Sequence, residues 1–104
     1  MRRKKMAIIK EIVEDKIEIV GEYRNIQIRT ATVIKEDDQE LTRSFNRKVL
    51  ECVTSSYDSD TEEWIHSDTD ISEESIEVQA ICNAVWTTEV KNVKKAHNES
   101  LGLK

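Results

Sequence analysis

Proline is absent from this chain of 104 residues, and glycine occurs only twice, at Gly21 and Gly102. With no Pro/Gly/Ser-rich stretch or repeat to act as a linker, a single domain over residues 1–104 is the expectation. Cysteine is equally scarce. Cys52 and Cys82 lie far apart without a CxxC spacing, and the two histidines, His66 and His97, stand alone. A disulfide framework, a zinc cluster and a Cys-His nucleophile with its orienting group are therefore all disfavoured, and a reducing, cytosolic setting fits best. No run reaches the ~18–20 apolar residues of a membrane span. The start "MRRKK" is basic, but "MAIIKEIVED" turns charged too soon for a secretory signal, which makes the sequon at Asn98-Glu99-Ser100 a chance match.

What the chain does have is charge. Charged residues are 36 % and hydrophobic ones 38 %, against roughly 25 % and 45–50 % in ordinary globular chains, so the core must be thin. The net charge of −5 is unevenly spread: residues 1–50 hold twelve Lys and Arg against nine Asp and Glu, whereas residues 51–104 hold four against twelve. The halves carry +3 and −8 and are electrostatic complements. Such a dipole acts within a fold or sets the register of one copy against the next.

Ile17 and Ile19 alternate with Lys16 and Glu18, which predicts a first strand over 16–22. "GEYRN" at 21–25 reads as a hairpin turn, and "NIQIRTATVIKE" after it is the strongest strand, with Ile26, Ile28, Thr30, Thr32 and Ile34 on one face. "EDDQE" at 36–40 is a polar turn. Residues 41–50 read as a third strand, with a helix capped by Asp38 as the alternative. An acidic loop over 52–72 follows, and then a helix over 73–97. Ser72 or Asp70 is its N-cap, Asp70 and Glu73 have capping-box spacing, and Val78, Ile81, Cys82, Val85 and Trp86 form its apolar stripe. Thr88 is a second N-cap should the helix restart, with Val90, Val93 and Ala96 or His97 as a sparser stripe. The predicted fold is α+β: a small antiparallel three- to four-stranded meander packed against a C-terminal amphipathic helix, preceded by a basic arm at 1–7.

The acidic stretch "SSYDSDTEEWIHSDTDISEES" offers Asp58, Asp60 and Glu62 at the spacing of the first calcium ligands of an EF-hand. The glycine and the bidentate Glu that such a loop needs are instead Glu63 and Thr69, so a solvated connector supplying helix caps is the better reading. No catalytic residue, metal, cofactor or small-molecule substrate is indicated. Arg29, Arg43 and Arg47, with Phe45 or Tyr23 nearby, make a basic sheet face of the kind RNA-binding sheets use. The acidic balance and the lack of an RNP-type aromatic pattern make nucleic acid the lesser reading. Tyr57, Trp64 and Ile65 are apolar residues in otherwise solvated surroundings, and they mark a contact, either folding back on the sheet or docking a neighbouring protein.

With "DKIEIVGEYRNIQIRTATVIKEDDQELTRSFNRKVL" and "EVQAICNAVWTTEVKNVKKAH" in view, the chain resembles small proteins encoded by tailed bacteriophages, notably those of marine bacteria. The likeness covers roughly residues 12–97 and consists of a strand-rich block, a variable polar loop and a helix carrying "VQAICNAVWT". It contains no motif with chemistry. It implies a non-catalytic virion-associated or assembly protein, located in the virion or the host cytoplasm, whose partners are further copies or other virion proteins. The alternative is an accessory regulator that binds a host protein or nucleic acid. Residues 52–72 look like an enlarged acidic insertion, so an interface there would be private to this chain.

Overall fold

β-Branched residues dominate Asn25–Glu36, and in the computed structural model of the chain, which describes residues 7–101, this segment is the central strand of a three-stranded antiparallel sheet. Its neighbours are β1 (Ile8–Val20) and β3 (Gln39–Leu50), so the order is β1-β2-β3. A two-stranded sheet follows from β4 (Val53–Asp58) and β5 (Glu63–Asp68), and the chain then forms two helices, α1 (Ile76–Val85) and α2 (Thr88–Ser100). The fold is α+β. The basic arm expected at 1–7 lies outside the described residues up to Met6.

The turns explain why the strands end where they do. Gly21 takes φ 78° and Arg24 φ 54°, and the Arg24 N–H and guanidinium both donate to the Gly21 carbonyl. A side chain with a Cβ is strained at that φ. Between β2 and β3 both loop residues, Asp37 at φ 52° and Asp38 at φ 69°, are left-handed, the signature of a two-residue type I′ hairpin. The Asp37 carboxylate also accepts the Ala7 N–H, and the Asp37 N–H donates back to the Ala7 carbonyl, which ties the start of β1 to this turn.

The chain divides into two compact units. One holds the described residues up to Ile17 together with Gln27–Lys48. Its buried side chains are Ile28, Ala31 and Val33, all on β2. Ile28 lies on one face and Ala31 and Val33 on the other, because successive strand residues point to opposite sides. The outer strands are not buried in this way. Ile12 is 66 % exposed, Ile8 60 %, Leu41 55 % and Phe45 48 %. Ion pairs link the strands instead: Arg29 donates through Nε and Nη2 to both Asp15 oxygens at 3.0 and 2.8 Å, its guanidinium lies 4.4 Å from the Phe45 ring centroid, and Lys35 meets Glu11 at 2.9 Å.

The other unit gathers Glu18–Ile26 with the chain from Val49 onward. Ile26, Cys52, Val53, Val78, Cys82 and Trp86 are buried, and the Trp86 indole N–H donates to the Arg24 carbonyl at 2.7 Å. Burial raises the pKa of both thiols, so Cys52 and Cys82 stay protonated at neutral pH.

Several expectations are corrected. β1 starts at Ile8 rather than residue 16; over 8–13 the apolar residues fall on both faces, and neither face is buried, so no alternation signals a strand. The acidic loop of 52–72 is largely a hairpin. The single helix is two, because Trp86 (φ −89°, ψ 71°) leaves the helical region while its N–H still bonds the Cys82 carbonyl, and Thr87 then caps α2 by accepting the Val90 N–H. The first helix is capped by Ser75, whose Oγ accepts the Val78 N–H. Asp70 instead closes a turn on the Ser72 N–H. Of the predicted stripe, Val78, Cys82 and Trp86 are buried, while Ile81 and Val85 are half-buried.

The Arg29 guanidinium holds the Asp15 carboxyl below its ordinary pKa of 3.8. A carboxyl depressed in the folded state stabilises the fold above its unfolded pKa, and that contribution is lost as pH falls through the folded value. Thermal unfolding midpoints measured across the acid range are expected to fall more steeply for the natural chain than for Asp15→Asn. Parallel acid limbs would show that this pair contributes nothing.

Candidate functional site: the groove between β4 and α2

The β4–β5 register pairs Val53 with Asp68, Ser55 with His66 and Tyr57 with Trp64. Paired strand residues share a face. The loop at 59–62 is closed by local polar groups: Asp58 Oδ1 accepts the Asp60 and Thr61 N–H groups, the Glu62 N–H donates to the Asp58 carbonyl, and Glu62 is left-handed at φ 60°. The calcium-like spacing of Asp58, Asp60 and Glu62 is thus turn chemistry. Among the described residues no three His, Cys, Asp or Glu side chains converge as a metal site.

Helix α2 lies along this hairpin face and is joined to it by polar groups. Lys91 Nζ meets Asp68 at 3.3 Å, Lys94 Nζ meets Glu51 at 2.6 Å, Asn98 Nδ2 donates to Ser55 Oγ at 2.9 Å, and Glu99 meets His66 Nε2 at 2.6 Å. Residues 91, 94 and 98 recur at helical spacing, so they form one stripe. Lys94 is buried, with its ammonium 5.2 Å from the centre of the Tyr23 ring, and Tyr23 stacks on His97. Val93, expected on the inner stripe, is 44 % exposed. This interface is built from amphipathic stems with charged tips.

A hydrogen-bonded chain runs through it. His66 Nδ1 lies 2.6 Å from Ser55 Oγ, and its Nε2 faces Glu99. With the Nε2 proton donated to the carboxylate, Nδ1 accepts the serine proton and the serine oxygen accepts from Asn98. Each group then donates where the next accepts. The chain ties α2 to both strands and sets Ser55 in the wall of a groove.

That groove has a volume of about 480 Å³ and runs along Glu51–Tyr57, with Lys94, Asn98 and Leu101 of the α2 segment as its other wall and Trp64 at one end. Tyr57 and Trp64 meet edge to face at 5.5 Å, and Trp64 lies parallel to the His66 ring at 6.3 Å. The structure therefore brings two of the three predicted contact residues together and puts Ile65, 49 % exposed, on the opposite hairpin face. The predicted basic face is largely neutralised: Arg29 is held by Asp15 and Arg43 by Glu40 at 3.0 Å, with Arg47 exposed. Ser55 carries no signal of its own in the sequence, and His66, Asn98 and Glu99 enter there only as a lone histidine and a chance sequon. The period-two order Val53, Ser55, Tyr57 was the available signal.

The chain matches no protein-family model, no curated protein and no solved structure. No helix among the described residues is long and apolar enough to cross a membrane.

The Lys94–Glu51 pair is asymmetric, since Lys94 is buried and the Glu51 side chain is 51 % exposed. Removing the carboxylate strands a buried charge, whereas removing the ammonium leaves an acid that water can solvate. Chemical unfolding should show Glu51→Gln losing roughly 1–3 kcal/mol and Lys94→Met less than about 1 kcal/mol. The reverse order would mean that Lys94 acts by charge at the surface.

Proposed function

We propose that this protein is a non-catalytic structural or assembly protein of a tailed bacteriophage, acting through protein–protein contacts, and that its three-stranded sheet is the surface on which it associates with further copies. The observation that supports this is the exposure of Ile8, Ile12, Leu41 and Phe45 on the outer strands. Apolar side chains gathered on one sheet lower the free energy of a partner that covers them, and exposed patches of this kind mark association surfaces. A second sheet of the same kind is a fitting cover, since antiparallel sheets stack face to face. The attribution to a phage rests on the resemblance of residues 12–97 and on nothing else. Protein is preferred to nucleic acid as partner because Arg29 and Arg43 already hold carboxylates, which removes most of the positive field a phosphate backbone needs.

Light scattering is expected to give a solution mass that is a multiple of 12.1 kDa. Ile12→Lys and Leu41→Lys should each reduce it to a monomer without loss of the circular dichroism signal. A monomeric natural chain would sink the self-association reading, and absence of the protein from purified particles, measured by mass spectrometry, would move the weight from a virion component to an accessory role.

A further inference from the structure

We propose that Ser55 is an activated nucleophile: its hydroxyl, in the wall of the groove, attacks an activated carboxylic ester and becomes acylated, with His66 as base, Glu99 as the group that positions the base, and Asn98 as donor to the developing oxyanion. This role is additional to assembly and independent of it.

The ladder sets the reacting pair. The Thr69 N–H donates to the Cys52 carbonyl at 3.2 Å, one step before Val53/Asp68. Hydrogen-bonded and non-hydrogen-bonded pairs alternate along an antiparallel ladder, so Ser55 and His66 form a non-hydrogen-bonded pair, the kind whose side chains stand closer together. Ser55 Oγ accordingly lies 2.6 Å from His66 Nδ1. The other ring nitrogen, Nε2, lies 2.6 Å from Glu99. A proton held on Nε2 by that carboxylate leaves Nδ1 unprotonated and basic, and the carboxylate also favours the imidazolium that forms when Nδ1 takes a proton. Nucleophile, base and orienting carboxylate are thus joined in order by hydrogen bonds. The His66 side chain is 17 % exposed, so the base is largely withdrawn from water.

An ester also needs a place for its carbonyl oxygen. Asn98 Nδ2 donates to Ser55 Oγ at 2.9 Å. A carbonyl oxygen joined to Oγ through one carbon comes within reach of the same amide, whose second N–H has no partner among the described residues. The Ser55 N–H, turned away from β5 by the ladder, is a further donor of the kind that stabilises an oxyanion. The groove of about 480 Å³ beside Ser55 gives the acyl group room, and Tyr57, Trp64 and Leu101 give it apolar walls. The charges in its lining, Lys94 and Glu51, hold each other at 2.6 Å. Among the described residues of the groove no free cation stands ready for a phosphoryl group and no free carboxylate for a sugar, so the electrophile is a carbonyl carbon on an apolar acyl chain.

In the step itself, Ser55 Oγ bonds to the carbonyl carbon as its proton passes to His66 Nδ1. The bond from that carbon to the leaving oxygen then breaks, and the alcohol departs with the proton from His66. An acylserine and an alcohol are formed, and no oxidant or reductant is needed. With one acyl group taken up per chain, the reaction is a modification of the protein rather than turnover.

The test treats the full natural chain with p-nitrophenyl butyrate and follows nitrophenolate release together with protein mass. Expected are a burst approaching one equivalent per chain and a butyryl group on the peptide that contains Ser55. Ser55→Ala should abolish the burst. His66→Ala should slow it about a hundredfold or more, with partial recovery on adding imidazole, which a merely structural loss would not show. Glu99→Gln and Asn98→Ala should each slow acylation about tenfold or more while leaving the half-saturating ester concentration unchanged. No burst, a butyryl group on lysine with Ser55 unmodified, or a burst untouched by Ser55→Ala would each overturn the proposal. Release that continues past one equivalent and disappears in Ser55→Ala would uphold the nucleophile and overturn the non-catalytic half of the proposed function.

Discussion

Lys94 and Glu51 meet where α2, the entry to β4 and the Tyr23 ring converge, and the second unit depends on that meeting. A chain with few large apolar residues cannot spend them on every interface. In this unit Ile26, Cys52, Val53, Val78, Cys82 and Trp86 are the buried apolar residues, and the contact between α2 and the hairpin is left to long side chains whose tips are paired. Burying an ammonium is tolerable only because the carboxylate is 2.6 Å away and an aromatic face lies beside it. The polar links at Lys91, Asn98 and Glu99 extend the same solution along the helix.

The same economy governs the three-stranded sheet. Its burial is confined to β2; β1 is joined to it by Arg29 with Asp15 and Lys35 with Glu11, and β3 by the Phe45 ring against the Arg29 guanidinium. Partly exposed ion pairs contribute modestly, about 0.2–1 kcal/mol each when measured on exposed pairs, so they fix which strands lie together more than they hold the sheet shut. Specificity comes from charge, and cohesion from the side chains buried on β2. That division is why a sheet with so many carboxylates and guanidinium groups still leaves isoleucines in water.

How much of this was legible in the sequence follows from how each element is stabilised. The β2 strand was plain because β-branched residues fill it, and the turn at Gly21 was plain because a left-handed residue was needed. The strand at 41–50 was reached through context, since its residues are exposed and carry little pattern. The hairpin from Val53 to Asp68 was hidden by its acids: its apolar members, Val53, Tyr57, Trp64 and Ile65, are too few to announce a strand, and its pairing depends on partners in α2 more than thirty residues away. Lysines near the end of a helix ordinarily complement its dipole, and nothing in the sequence sets Lys94 apart from Lys91 or Lys95. That Lys94 turns inward is a tertiary fact, set by where Glu51 and Tyr23 are placed. Of the site, the aromatic pair is legible as apolar residues among acids, and the hydrogen-bonded chain through Ser55 and His66 is not, because its members meet only in the folded chain.

The strand order has a kinetic side. Every strand is paired with its neighbour in sequence, and the connections are tight turns of two to four residues. Loops this short close in well under a microsecond and hairpins form within about ten microseconds, so pairing need not wait for distant segments to find one another. The chain has no prolyl bond whose isomerisation could hold up the process for tens of seconds. What joins segments far apart in sequence is the docking of α2 on the hairpin, where Lys94 exchanges water for the Glu51 carboxylate.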